Sequence, residues 1–262
     1  DNMHRDSFFA SASVGFLRAG SQDLSDRALD LVADKTQMAN ALLGHARHFW
    51  LSDQKDDALE AIDEAYEVLR SQKDIETRSS RDRYILFVSI AAQFAGFGRG
   101  ERAIEIAEGI EDEEQSMVAL SQIARVLTAQ NEEELARHAI NSIPDEGQRV
   151  FALIGMSDEA GKNDKEKAVS LINEAAENIE SIPQMSFRSS ALNAIADRAA
   201  TLGFDDLLDS SVQQQFQTIE QMKSKSAQAH ALANLSTLTE KHELMLGEPE
   251  HERLRVIVTQ AG

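Results

Sequence analysis

Two histidines near the single tryptophan have the types and spacing that could bind a metal ion. His45 and His48 are three positions apart, and Asp53, Asp56 and Asp57 follow them. Imidazoles at i and i+3 lie on one face of a helix, where they can share a divalent ion. However, His45 also falls on a core position of a helical pattern, and Asp53 begins a turn. We therefore interpret these residues as structural and expect no metal site.

Two local patterns resemble ligand-binding loops, the glycine-rich residues 96–100 and the acidic runs at residues 111–114 and 132–134. The glycine-rich segment lacks the Lys-Ser/Thr ending of a phosphate loop and follows a predicted helix, so we interpret it as an inter-helix turn. The acidic runs fall at or near predicted helix starts, where the helix dipole stabilises carboxylates. Neither pattern predicts a phosphate or cation site.

No arrangement of residues predicts catalysis. Serine and histidine are plentiful, but the spacing contains no nucleophile elbow, metalloprotease motif or paired carboxylates. The chain has no cysteine, which excludes a disulfide framework, a thiolate nucleophile and a thiolate metal site. We therefore expect a protein that is not an enzyme and needs no cofactor. An enzyme built on a helical scaffold is the alternative.

The composition indicates a folded, helical chain. Its 262 residues are 42% hydrophobic, with only 3 prolines and 13 glycines, and helix-forming residues recur in long stretches. The formal net charge of −19 repels phosphate backbones and anionic lipids, so nucleic acid and membrane surfaces are poor partners. A basic partner, or simple solubility of an exposed surface, fits this sign better.

The sequence predicts a soluble protein without membrane insertion. No apolar run approaches the roughly 20 residues that span a bilayer, and no signal segment opens the chain. The chain begins at Asp1, which fits a processed form or an excised fragment whose targeting segment would not be visible. The compartment is therefore left open.

A four-position signature at offsets 0, +3, +4 and +7 recurs along the chain, and these offsets put four side chains on one face of a helix. Its copies are Leu120, Ile123, Ala124, Leu127; Phe87, Ile90, Ala91, Phe94; Leu192, Ile195, Ala196, Ala199; Leu42, His45, Ala46, Phe49; and Leu153, Met156, Ser157, Ala160. Weaker copies are Phe9, Ala12, Ser13, Phe16 and Leu232, Leu235, Ser236, Thr239. Three of the six intervals between their starts are 33 residues. The longer intervals predict extended second helices, for example over residues 56–70 and 166–182.

A second apolar pattern follows each clear copy after a short polar turn. It runs at offsets 0, +4 and +7 in Ala58, Ile62, Ala65; Ala103, Ala107, Ile110; and Ala136, Ile140, Ile143. The turns contain helix breakers or capping residues, namely Asp53, Gly98, Gly100, Asn131, Gly161, Asn163, Gly203 and Asp205. Two helices and two turns in about 33 residues predict an array of helical hairpins.

This pattern resembles the tetratricopeptide repeat family. The best unit contains Phe87, Ile90, Ala91, Phe94, Gly98, Ala103 and Ala107, in the order of large, small and turn residues that the family uses. The resemblance covers most of residues 7–240, although the family's first-position tryptophan never appears. It implies an all-α, right-handed α-solenoid of about seven helix-turn-helix repeats, a single domain over residues 1–262 with atypical terminal repeats. Another α-solenoid subtype is the alternative.

The resemblance also implies that the first helix of each repeat lines a concave groove. The corresponding positions are Asn40, Leu43, Arg47 and Trp50; Ile85, Val88 and Ala92; Val118, Ser121 and Arg125; Phe151, Ile154 and Asp158; and Ser190, Asn193 and Asp197. The family's clamp for a C-terminal carboxylate needs lysine and asparagine where this chain has Leu43, Val88, Ser121 and Ile154. A chaperone-tail adaptor is therefore disfavoured.

The function expected from this groove is that of a non-catalytic scaffold or adaptor binding a peptide or helix of a partner protein. The alternative is a regulatory domain that senses a small ligand or peptide. Trp50, Arg47 and Arg125 are the candidate anchors, because tryptophan and arginine are enriched at binding hot spots. Packing of Trp50 against the next repeat is the competing interpretation of that residue.

Overall fold

The chain is helical throughout the part that can be described. A computed structural model describes the backbone of residues 2–72 and 77–261, and these residues form fourteen α-helices and no β-strand. The helices are α1 (Asn2–Arg18), α2 (Gln22–Leu29), α3 (Lys35–Leu51), α4 (Lys55–Arg70), α5 (Thr77–Gly96), α6 (Gly100–Glu108), α7 (Glu113–Ala129), α8 (Glu133–Asn141), α9 (Glu146–Ala160), α10 (Lys165–Glu177), α11 (Met185–Leu202), α12 (Asp205–Gln221), α13 (Lys225–Lys241) and α14 (Glu248–Ala261). The predicted all-α class is confirmed.

The helices pack as neighbouring pairs. Each of α1, α3 and α5 contacts the helix that follows it, as do α9, α11 and α13. We call the odd-numbered helices first helices and the even-numbered ones second helices. First helices also contact the next first helix along the chain, α1 with α3, α3 with α5, α9 with α11 and α11 with α13. This is the contact pattern of stacked hairpins, as a helical repeat requires.

Contacts divide the chain into two compact units. Unit one comprises Asp1–Leu127 and Glu134–Ala139, and unit two comprises Thr128–Glu133 and Ile140–Gly262. Each unit contains three complete hairpins with their own buried apolar side chains. The single domain expected over residues 1–262 stays a prediction.

The repeated signature forms the core of the five central first helices. Buried are Leu42, His45, Ala46; Phe87, Ile90, Ala91, Phe94; Leu120, Ile123, Ala124, Leu127; Leu153, Met156, Ser157, Ala160; and Leu192, Ile195, Ala196, Ala199. The second-helix patterns starting at Ala58, Ala103 and Ala136 are buried as well. Small side chains at the third signature position allow a neighbouring helix to approach closely, and the bulky ones fill the grooves beside them.

The predicted register of the two terminal copies is wrong by one residue. In α1 the buried positions are Asp6, Ala10, Ser13 and Leu17, whereas Phe16, predicted in the core, is 38% exposed. In α13 the buried positions are Ala231, Leu235 and Leu238. Terminal helices pack against a neighbour on one side only, so their apolar pattern specifies the buried face less strongly.

The turns between paired helices share one backbone feature. Asp53, Gly98, Asn131 and Gly203 adopt positive φ angles of 63°, 72°, 62° and 67°, each eleven positions after the start of its signature. Gly98 lies two residues beyond the end of α5, and Arg99 N donates to Phe94 O at 2.8 Å, which is the outer hydrogen bond of a Schellman motif. Glycine, asparagine and aspartate tolerate this left-handed conformation best. The predicted turns are therefore confirmed at these four positions.

Lengths of the second helices account for the unequal repeat intervals. Helices α6 and α8 have 9 residues each and belong to the 33-residue intervals, whereas α4, α10 and α12 have 16, 13 and 17. The predicted helix over residues 166–182 is too long, because α10 ends at Glu177 and a short 3-10 turn, Ile179–Ser181, follows. Asn178, between them, donates its side-chain amide to Glu174 O at 2.8 Å.

Candidate functional site

Two rows of first-helix positions lie outside the core. They are two residues before and five residues after each signature start, and we call them the outer rows. Asn40, Arg47, Ile85, Val118, Arg125, Asp158 and Ser190 of these rows are exposed, and Ala92, Phe151 and Asp197 are half-buried. At about 100° per residue, both positions lie on the same side of the helix, away from the signature face.

The position one residue after each signature start lies closer to the core. Leu43, Val88 and Ile154 are only 6%, 5% and 7% exposed, whereas Ser121 and Asn193 are half-buried. The structure therefore places the predicted contact residues Val88 and Ile154 in the packing between helices. A partner lying on the first helices would meet the outer rows instead.

Trp50 packs inside unit one. Its ring stacks on Phe97, with ring centroids 4.2 Å apart and an angle of 16° between the planes. Lys55 Nζ lies 3.9 Å from the centroid of the same ring. Ala95 and Thr128 occupy the equivalent position of the next two repeats, so Trp50 is a bulky replacement of a small residue. Because Phe97 and Lys55 both contact its ring, packing within unit one explains the presence of a tryptophan at position 50.

The predicted polar residues of unit two join neighbouring helices. Asp197 accepts hydrogen bonds from Lys241 Nζ at 2.6 Å and from His242 Nε2 at 2.7 Å, which ties α11 to the end of α13. Burial alone would raise the pKa of Asp197, but the hydrogen bonds and charges of Lys241 and His242 outweigh burial and lower it. The stabilisation from this ionised carboxylate is therefore lost as the pH falls through the lowered pKa.

Two further predicted residues of unit two, Asp158 and Asn193, also have partners. Arg198 Nε lies 3.5 Å from Asp158 Oδ1, and its guanidinium donates to Ser157 O at 2.8 Å. Asn193 Oδ1 accepts a hydrogen bond from Gln215 Nε2 at 3.3 Å, which joins α11 to α12. These contacts account for the polar character of both positions in unit two without a ligand.

Charge is separated between the two kinds of helix. The seven first helices contain 13 Lys or Arg and 9 Asp or Glu, whereas the seven second helices contain 9 Lys or Arg and 23 Asp or Glu. Helix α3 carries Lys35 and Arg47 and no acidic residue, and α12 carries four acidic residues and no basic one. The acidity of the chain therefore belongs to its second helices and loops, and the first helices are weakly basic.

His45 and His48, whose spacing could suit a metal ion, lie in two different environments. His45 Nε2 lies 2.9 Å from Ser13 Oγ and 3.2 Å from Ser25 Oγ, and all three residues are buried. His48 is half-buried one turn further along α3. Among residues 2–72 and 77–261, no three His, Asp or Glu side chains are grouped so that they could hold a metal ion. The buried cluster joins α1, α2 and α3.

We expect His45 to make the stability of the chain depend on pH. Burial lowers the pKa of His45 below its ordinary value of 6.5, so below this pH the unfolded chain binds the proton more readily than the folded chain. Stability should therefore fall as the pH decreases from about 6.5 towards the lowered pKa. His45→Gln should reduce the loss of melting temperature between neutral and mildly acidic pH. His230→Gln, at an exposed site of α13, is the matched control, and an equal pH dependence in both variants would contradict this role.

No helix in the described part of the chain combines the length and apolar character needed to cross a membrane. No protein-family model and no curated protein matches the sequence. The resemblance to tetratricopeptide repeats therefore rests on the residue pattern, the paired helices and the shared turn conformation.

Proposed function

We propose that the chain is a non-catalytic binding module that holds a segment of a partner protein against its first helices. The observation that carries this proposal is the outer rows of unit one, in which Ile85 and Val118 are 47% and 39% exposed and Arg47 is exposed as well. Exposed apolar side chains at equivalent repeat positions, together with an arginine in the same rows, have the composition of a peptide-binding surface.

The partner segment that fits this surface is apolar and acidic. Arg47 lies on a helix without any acidic residue, and Arg125 occupies the equivalent position of α7. Arginine recognises carboxylates with paired hydrogen bonds, and opposite charge accelerates association. The net charge of −19 comes from the second helices and loops. It therefore favours a basic partner only for a binding surface that the second helices form.

The finer architecture that we propose is a right-handed, tetratricopeptide-like superhelix. Three observations support it: the 33-residue intervals, the left-handed residue eleven positions into four repeats, and the contacts between successive first helices. In such a superhelix the first helices share one side of the array, which would bring the outer rows of consecutive repeats together.

Selection of random peptides displayed on phage, using the full chain as the target, tests this proposal. We expect enriched peptides to combine apolar residues with aspartate, glutamate or a free C-terminus, and their binding to weaken as salt is added. The double variant Arg47→Glu, Arg125→Glu should lose at least about tenfold in affinity, which corresponds to 1.4 kcal/mol.

The double variant Arg27→Glu, Arg255→Glu is the matched control, because it makes the same charge change at exposed sites on the second helices α2 and α14. Enrichment of lysine- and arginine-rich peptides would contradict the proposed partner. An equal loss in the control would show that net charge alone controls binding, and the absence of any selected peptide would overturn the peptide-binding function.

A further inference from the structure

Unit one contains a pocket that none of the sequence patterns predicts. It has a volume of about 270 Å³ and lies between α4, α5 and the end of α6. Tyr66 and Arg70 of α4 and Arg83, Tyr84 and Phe87 of α5 line it. Both tyrosines of the chain are thus in this one pocket.

The aromatic wall of the pocket is held in place by its neighbours. Tyr66 and Phe87 meet edge to face, with ring centroids 5.8 Å apart and an angle of 68° between the planes. The guanidinium carbon of Arg102 lies 5.1 Å from the Tyr66 ring centroid, and that of Arg83 lies 5.1 Å from the Phe87 ring centroid. Aromatic and cation-π contacts of this kind restrict the rotation of the rings.

The two lining arginines place positive charge beside these rings. Arg83 donates its Nε to Leu69 O at 3.3 Å, which positions the guanidinium at the pocket. Arg70 pairs with Glu67 at 3.4 Å, but both side chains are more than 60% exposed, so solvent weakens this pair. The acidic residue of the lining, Glu111, is itself exposed.

We infer that this pocket binds a small carboxylic acid whose carboxylate is carried on an apolar or aromatic stem. The guanidinium groups supply the planar, charged donors that a carboxylate prefers, and the rings of the half-buried Tyr66 and Tyr84 supply the surface for the stem. The volume is below the roughly 300–1,000 Å³ of pockets for drug-sized ligands, so the pocket fits a small acid or a single acidic side chain. This inference is independent of the outer rows, because its residues lie on other positions.

Calorimetric titration of the full chain with 3-phenylpropionate tests the inference, with the neutral 3-phenylpropionamide and acetate as matched ligands. We expect 3-phenylpropionate to bind at least about tenfold more tightly than either, because the amide lacks the charge and acetate lacks the stem. Equal binding of the amide, or the absence of binding by all three at millimolar concentration, would overturn the inference.

Variants locate the site. Arg83→Gln and Arg70→Gln should each weaken 3-phenylpropionate binding, and the double variant should abolish it while circular dichroism shows an unchanged helical fold. Arg149→Gln, a half-buried arginine of unit two that pairs with Glu146, is the control and should bind as wild type. Wild-type binding by the double variant would also overturn the inference. The Arg47→Glu, Arg125→Glu variant should keep this binding, which separates failure here from failure of the peptide-binding proposal.

Discussion

Phe216→Ala should destabilise the chain by about 3–5 kcal/mol, which is the usual cost of removing a fully buried phenylalanine ring. Phe216 of α12 has no exposed surface, and the guanidinium carbon of Arg253 lies 5.2 Å from its ring centroid. The truncation therefore leaves a cavity inside unit two and removes a ring that contacts α14. Urea denaturation followed by circular dichroism measures this loss.

Phe187→Ala provides the matched control for Phe216. Phe187 lies on α11 of the same unit and is 55% exposed, so the same truncation should change the free energy of unfolding by only about 0.5 kcal/mol. Trp50 fluorescence reports on unit one and distinguishes a local loss from unfolding of the whole chain. Equal effects of the two substitutions would show that the assigned buried face of α12 is wrong.

The core could be predicted from the sequence wherever a helix packs on both sides. A helix between two neighbours needs apolar residues at offsets 0, +3, +4 and +7, and this requirement is visible in the spacing. In α1 the spacing of apolar residues does not identify the buried face, because Phe8 and Phe16 are 68% and 38% exposed while Asp6 is buried. Asp6 is stabilised there by hydrogen bonds from Ala33 N and Asp34 N, at 3.1 and 2.8 Å. No apolar periodicity can indicate such a position.

The candidate sites were less predictable, because they depend on contacts between distant residues. Spacing identifies Arg47 and Val118 as positions beside the core, whereas the family resemblance implied a binding surface for Val88 and Ile154, although both are buried. The separation of charge is present in the sequence, but it becomes visible only when acidic and basic residues are counted helix by helix. The pocket around Tyr66 is formed by three helices, so no local pattern indicates it.

Trp50 shows how a distant contact changes the interpretation of a residue. The sequence alone leaves two interpretations of Trp50: a binding anchor, whose replacement by alanine would lose partner binding and leave stability unchanged, or a residue packed against the next repeat. Trp50 stacks on Phe97, which lies 47 positions later in the chain, and it also contacts Lys55. We therefore expect Trp50→Ala to destabilise unit one by about 2–3 kcal/mol, which is less than the cost for a fully buried ring because Trp50 is half-buried.

A double-mutant cycle with Phe97→Leu assigns this cost to the stacked pair. The coupling between the two substitutions should be about 0.5–1.5 kcal/mol, the range measured for aromatic pairs. Leu51→Ala is the control, since Leu51 is adjacent to Trp50 but 79% exposed and should change stability by no more than about 0.5 kcal/mol. If Trp50→Ala melts like wild type and loses the selected peptides, Trp50 is a binding anchor, and its stack on Phe97 contributes little to the stability of unit one.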